Sequence, residues 1–172
     1  MEHLFEDIIT TFEANKSKFT DAGLKPPFID LYQGQVEHPE YFEFNLPALF
    51  MDYAITPQKE GKLWVNNTSL IFYACPELAP SASNKSSRRP QGLKPLIWYG
   101  IIKDILDTVS GRHYTTLMRG PEKPGYGGAF NYHTIDYSTV MDQLSGKEKG
   151  RYTDGTIEQV NTTGQIKSRF SL

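Results

Sequence analysis

The chain of 172 residues is 38% hydrophobic and carries a formal net charge of −2. That length fits a single domain burying roughly 70% of its unfolded surface, and the nearly balanced charge excludes a general electrostatic attraction to nucleic acid or to an anionic membrane. The one cysteine, Cys75, excludes an internal disulfide and a CxxC zinc pattern.

Ten Tyr, ten Phe and two Trp stand against this low apolar fraction. The balance predicts one modest core with long polar excursions rather than general disorder. The N-terminus, "MEHLFEDIITTFE", carries acids where a secretory leader needs a basic start and an apolar block. No stretch approaches the ~20 apolar residues of a spanning helix. Neither a leader nor a membrane anchor is expected, and a reducing cytosol suits the lone thiol.

Along residues 3–16, Leu4, Phe5, Ile8, Ile9 and Phe12 recur at helical spacing, with Glu6, Asp7, Thr10 and Glu13 on the other face. This predicts a first helix, ended before Gly23 and "KPP" at 25–27. "FIDLYQGQ" (28–35) alternates as a strand, and "VEHPEY" reads as a polar turn. "LPALFMDYAI" then starts a central strand at Pro47, since proline is tolerated at the first residue of a strand, where no ladder donor is needed. "TPQKEGK" (56–62) reads as a turn. "LWVNNTSLIFYAC" (63–75) is the next strand, with Trp64, Leu70, Phe72 and Tyr73 supplying packing.

Residues 76–95 have the composition of a loop, and one of that length in a small domain is usually functional or disordered. Ile97, Ile101, Ile105 and Val109 then recur every four residues, predicting a second helix over 94–109, capped near Gly111. "HYTTLMRG" (113–120) reads as a short strand, "PEKPGYGGAF" (121–130) as a Gly/Pro loop and "NYHTIDYSTVM" (131–141) as a strand. The remainder reads as a polar C-terminal extension or arm over 142–172. Consecutive strands joined by short turns pair antiparallel. The expected fold is therefore α+β: one mainly antiparallel sheet with two helices packed on one face, in a single domain over 1–141.

The chemistry-bearing residues form no familiar constellation. His3, His38, His113 and His133 lack metal-ligand spacing, and His133 and Asp136 point to opposite faces of a strand. No serine lies in a GxSxG elbow. Cys75 reads as a small buried hydrophobe at a strand end. "RGPEKPGYGG" lacks the Lys-Ser/Thr ending of a phosphate loop. An enzyme would need a dispersed site, with His133, Asp136 and Cys75 converging in one cleft. No catalytic residue, metal or cofactor is expected. The feature that stands out is the basic run "NKSSRRPQGLK", whose Lys85, Arg88, Arg89 and Lys94 would suit an acidic partner or passing DNA.

The order of these elements, with "YQGQ" at Tyr32–Gln35 and "LPALFMDY" at Leu46–Tyr53, resembles the tail terminator (tail completion) proteins of long-tailed phages and related contractile particles. The resemblance covers residues 3–141. The Pro/Ser-rich loop at 76–95 and the polar extension depart from it. It implies a structural virion protein, made in the host cytoplasm, that closes into a ring of six copies on the finished tail tube. Its partners would be itself, the tail tube protein and a neck or head-completion protein, with non-specific contact to DNA in the channel and none to membrane. Other readings open at this point are a head–tail connector or minor tail protein, and a monomeric binding module.

Overall fold

Two long strands organise the chain. β2 (Ala48–Glu60) and β3 (Leu63–Cys75) each run thirteen residues and pair antiparallel in one unbroken register, from Ala48↔Cys75 to Glu60↔Leu63. The structure is a computed structural model and describes residues 1–60, 63–126 and 130–142. The expected arm after 142 lies outside the described residues.

The turn expected over 56–62 is replaced as far as Glu60 by strand, and residues 61 and 62 lie outside the described part. Pro57 is tolerated there for a geometric reason. The amides of Phe28 and Tyr32 donate to the carbonyls of Pro47 and Met51, so odd-numbered residues of β2 turn their backbone groups away from β3. Pro57 shares that parity, and its missing N–H costs no bond to β3.

The helices pack on one face of the sheet. In α1 (Glu2–Ala14), Leu4, Ile8 and Phe12 are buried, one per turn. The helix expected over 3–16 breaks at Asn15, whose side-chain amide donates to the Thr11 carbonyl at 2.8 Å. That local bond competes with helix continuation. A short α2 (Lys16–Asp21) follows and buries Phe19.

β1 (Phe28–Leu31) is shorter than the strand expected over 28–35 and pairs parallel to β2. The buried Gln35 ends it. Its Nε2 donates to the Leu31 carbonyl at 2.9 Å, and its Oε1 accepts from the Gln33 amide at 2.6 Å. A parallel neighbour requires a crossover, and residues 32–47 supply it on the sheet face away from the helices. There Val36, Phe44 and Leu46 pack with Ala48, Phe50, Cys75 and Phe130 in a second, smaller core. The polar turn expected after residue 35 is thus part of a covering segment.

After β3, the loop leads into α3 (Arg89–Gly92) and α4 (Lys94–Leu106). α4 ends three residues before the expected Val109, which is buried beyond the helix. β4 (Met118–Tyr126) and β5 (Asn131–Asp142) complete a five-stranded sheet in the order β1-β2-β3-β5-β4. Strand was expected over 113–120 and loop over 121–130. Instead β4 runs through Pro121 and Pro124, which it accommodates because it is an edge strand with an irregular register between Arg119 and Glu122. Residues 127–129 lie outside the described part.

The α+β class with a mainly antiparallel sheet stands, with one parallel pair added. The main core joins Leu49, Met51, Leu70, Phe72 and Ile135 of the sheet to Leu4, Ile8, Trp98, Ile102 and Ile105 of the helices. Each fully buried Leu, Ile or Phe contributes roughly 1.5–3 kcal/mol.

Candidate assembly surface

The helix layer is shorter than the sheet beneath it. A thirteen-residue strand spans about 43 Å, whereas a thirteen-residue helix spans about 20 Å. From Tyr53 outward, β2 runs past its cover, whereas β3 stays buried as far as Thr68, which is registered with Ile55. Tyr53, Ile55 and Trp64 lie on the face that carries the main core, because Tyr53 is registered with Leu70, and Trp64 with Lys59. Their exposures are 44%, 42% and 48%. Trp64, expected to supply packing, is thus half in solvent. These residues, with Pro57 and Asn66 between Ile55 and Trp64, make a partly apolar strip along the two-stranded hairpin, and exposed apolar patches mark contact sites.

The basic residues sit at the other end of β3. The segment 76–88 leaves Cys75 and folds back toward the start of β2. Gly92 lets it approach closely, since a Cβ there would meet the Pro80 carbonyl oxygen at 2.6 Å. Lys25 pairs with Glu77 at 2.6 Å and ties the segment to the chain before β1. Beside it lies a groove of about 150 Å³ lined by Leu24, Pro47, Leu78, Pro95 and Trp98. The Trp98 indole N–H donates to the Lys25 carbonyl at 3.1 Å, fixing one wall.

Lys85, Arg88 and Arg89 are exposed on this segment and the first turn of α3, and no ion pair engages them among the described residues. Lys94 is different. It opens α4, and its Nζ donates to the Gly23 carbonyl at 3.1 Å. Three of the four basic residues therefore present free charge, and the fourth braces the fold. The basic tail beyond residue 142 lies outside the described residues.

The residues of the dispersed catalytic site do not converge. His133 stands on the helix face of β5, stacked on Tyr99 with ring centres 4.8 Å apart. Cys75 belongs to the small core on the opposite face. Asp136 is registered with Ile71, four residues along β3 from Cys75 and also on that opposite face. Burial pushes the Cys75 thiol up to about 12, which keeps it protonated and inert. No cluster of ligating side chains suited to a metal ion occurs among the described residues.

Titratable groups at the helix–sheet seam are structural. Lys103 donates to Glu122 at 2.9 and 3.1 Å, and this bond, with His133 nearby, holds the Glu122 carboxyl below its usual range. Tyr137 donates to Asp107 at 2.8 Å, and Arg119 closes on the same carboxylate. Tyr114 donates to Asp7 at 2.8 Å, joining β5's neighbourhood to α1. Burial first, then these carboxylates, raises the pKa of both tyrosines.

No helix among the described residues is long and apolar enough to cross a membrane. Known protein families give no match to the chain. No curated protein matches it either.

Proposed function

We propose that this chain is a structural component of a phage-type tail. It closes into a ring, of six copies as the resemblance implies, caps the tail tube, ends tube polymerisation and offers a docking surface to the neck or head. The observation that carries the reading is the exposed outer part of the hairpin, β2 from Tyr53 and β3 at Trp64, with Tyr53, Ile55 and Trp64 half-exposed on one face. A ring with cyclic symmetry uses two different patches per copy, and a protruding apolar hairpin supplies one. The free cations of Lys85, Arg88 and Arg89, at the far end of β3, suit a neck partner or DNA passing through the channel. The motif residues fit a mechanical part: Gln35 and Pro47 build β1 and the start of β2 rather than a reactive centre.

The test is native mass spectrometry and negative-stain imaging of the full chain over a range of concentrations, followed by mixing with isolated tail tubes. Closed rings of about six subunits, bound at one tube end, are expected. A chain that stays monomeric on its own and leaves tube ends bare would overturn the proposal in favour of a monomeric binding module.

A further inference from the structure

A second apolar patch lies on α4. Its inner face meets the sheet through Trp98, Ile102 and Ile105. Its outer face is apolar too: Leu96 and Ile97 are 64% and 52% exposed. The exposed apolar part is confined to the N-terminal half of the helix, since Lys103 and Asp104 follow on its outer side. Gly100 adds an independent sign. It lies one turn after Leu96 on the outer face, in a helix interior where glycine is the least favourable residue after proline. Among the described residues, a Cβ at Gly100 would meet nothing within 4 Å, so no packing among them requires the glycine. The residue leaves a notch beside two exposed aliphatic side chains.

The hairpin and the helix match. From Tyr53 to Lys59 the bare strand face runs about 20 Å, and its part from Ile55 to Lys59, about 13 Å, is close to the rise of about 12 Å from Leu96 to Asp104 along α4. Lys59 ends the hairpin patch on the same face as Trp64, and the exposed Asp104 ends the helix patch; neither is in an ion pair among the described residues. A cation also suits the negative C-terminal end of a helix. The edge of β2 is a poorer target than its face, because Pro57 interrupts the outward row of donors.

We propose that the distal hairpin of one copy lies across the outer face of α4 of the next, with Tyr53, Ile55 and Trp64 against Leu96, Ile97 and the notch at Gly100. The neighbour's helix continues the helix layer where the subunit's own layer stops. The contact is head-to-tail, and it rests on the ring reading for its choice of a second copy as occupant. A footprint of 20 Å by one helix width is about 200 Å² before side chains interdigitate, short of the about 800 Å² per partner of a stable pair. Two copies therefore associate weakly, and closing a ring, in which each copy makes the contact twice, holds it together.

Two single variants of the full chain, Ile55→Cys and Ile97→Cys, test this with a short bismaleimide; Cys75 is buried and stays silent. Mixed at high concentration, they are expected to give a covalent dimer that neither gives alone. A cross-link in the Ile55→Cys sample alone, or none in the mixture, overturns the proposal. So does protection of the introduced thiol at 55 in dilute monomer, which would mean that the chain's own residues beyond 142 cover the hairpin. Gly100→Ala is the second arm. It is expected to raise the thermal midpoint of the monomer while weakening self-association at least tenfold, and unchanged self-association overturns the proposal. Rings without the mixed cross-link would remove this contact and keep the capping function. Open chains carrying the cross-link would keep the contact and remove the capping.

Discussion

Cys75 shows how a single residue reports on the whole fold. It ends β3 inside the smaller core, with no exposed surface, and burial raises its pKa to about 12. An unfolded thiol titrates near 8.5. The folded state therefore favours the protonated form, and its contribution to stability is complete below the unfolded value. It is lost as pH rises from there toward the folded value, because the unfolded chain gives up its proton first. Tyr99, raised to about 12 by burial, acts in the same direction above the ordinary tyrosine range. Urea midpoints measured from pH 8 to 11 should fall steadily, and Cys75→Ser should flatten the lower part of that fall. Thiol reagents should modify the native protein only at the rate of its unfolding. The burial of Cys75 was legible from its place at the end of an apolar run. The role of Gln35 was not, since a lone glutamine gives no sign that its amide will close a strand end.

At the scale of elements, Pro57 decides how the hairpin meets its surroundings. It occupies the outward parity of β2, so replacing it restores a donor on an open edge without touching the pairing to β3. Pro57→Thr should leave the thermal midpoint within a few degrees and should speed thioflavin-positive aggregation, since an unbroken edge is a template for further strands. Equal aggregation rates for the two proteins would show that the edge is protected by something else. Proline also explains why the hairpin was misread. "TPQKEGK" has turn composition, and only the pairing partners across β3 reveal that Pro57 faces away from the ladder. The same holds for Pro121 and Pro124 in β4, whose edge position no local pattern announces. Periodicity located α1, α4, β3 and β5 well, because their apolar spacing reflects a core on one side. It found β1 but carried it four residues too far, to 35 rather than Leu31, because the crossover that follows has no period of its own to mark the strand end.

At the scale of the molecule, charge and apolar surface are separated. The free cations Lys85, Arg88 and Arg89 lie at one end of β3, and the bare hairpin at the other. Composition made the basic run legible, but it could not show that Lys94 is held by the Gly23 carbonyl while the other three are not. If the basic end serves assembly rather than folding, replacing Arg88 and Arg89 together by alanine should leave the unfolding midpoint unchanged and impair joining of capped tails to heads or necks. Normal joining by that double variant would remove the basic segment from the assembly scheme. The apolar end was legible only once the lengths of strand and helix were compared, since nothing in the alternation of Tyr53, Ile55 and Trp64 says where the covering layer stops.

The strand order carries a kinetic consequence. β2 with β3, and β4 with β5, are each joined through a few residues, so each pair closes a small loop. Between β3 and β5 lie the loop, both later helices and β4, so their pairing closes the longest stretch of chain among the antiparallel neighbours. Loop-closure entropy grows with that length, and distant contacts slow folding. The seam between Phe72 and Tyr137, whose rings meet edge to face 5.7 Å apart, is therefore where two locally formed halves must find each other.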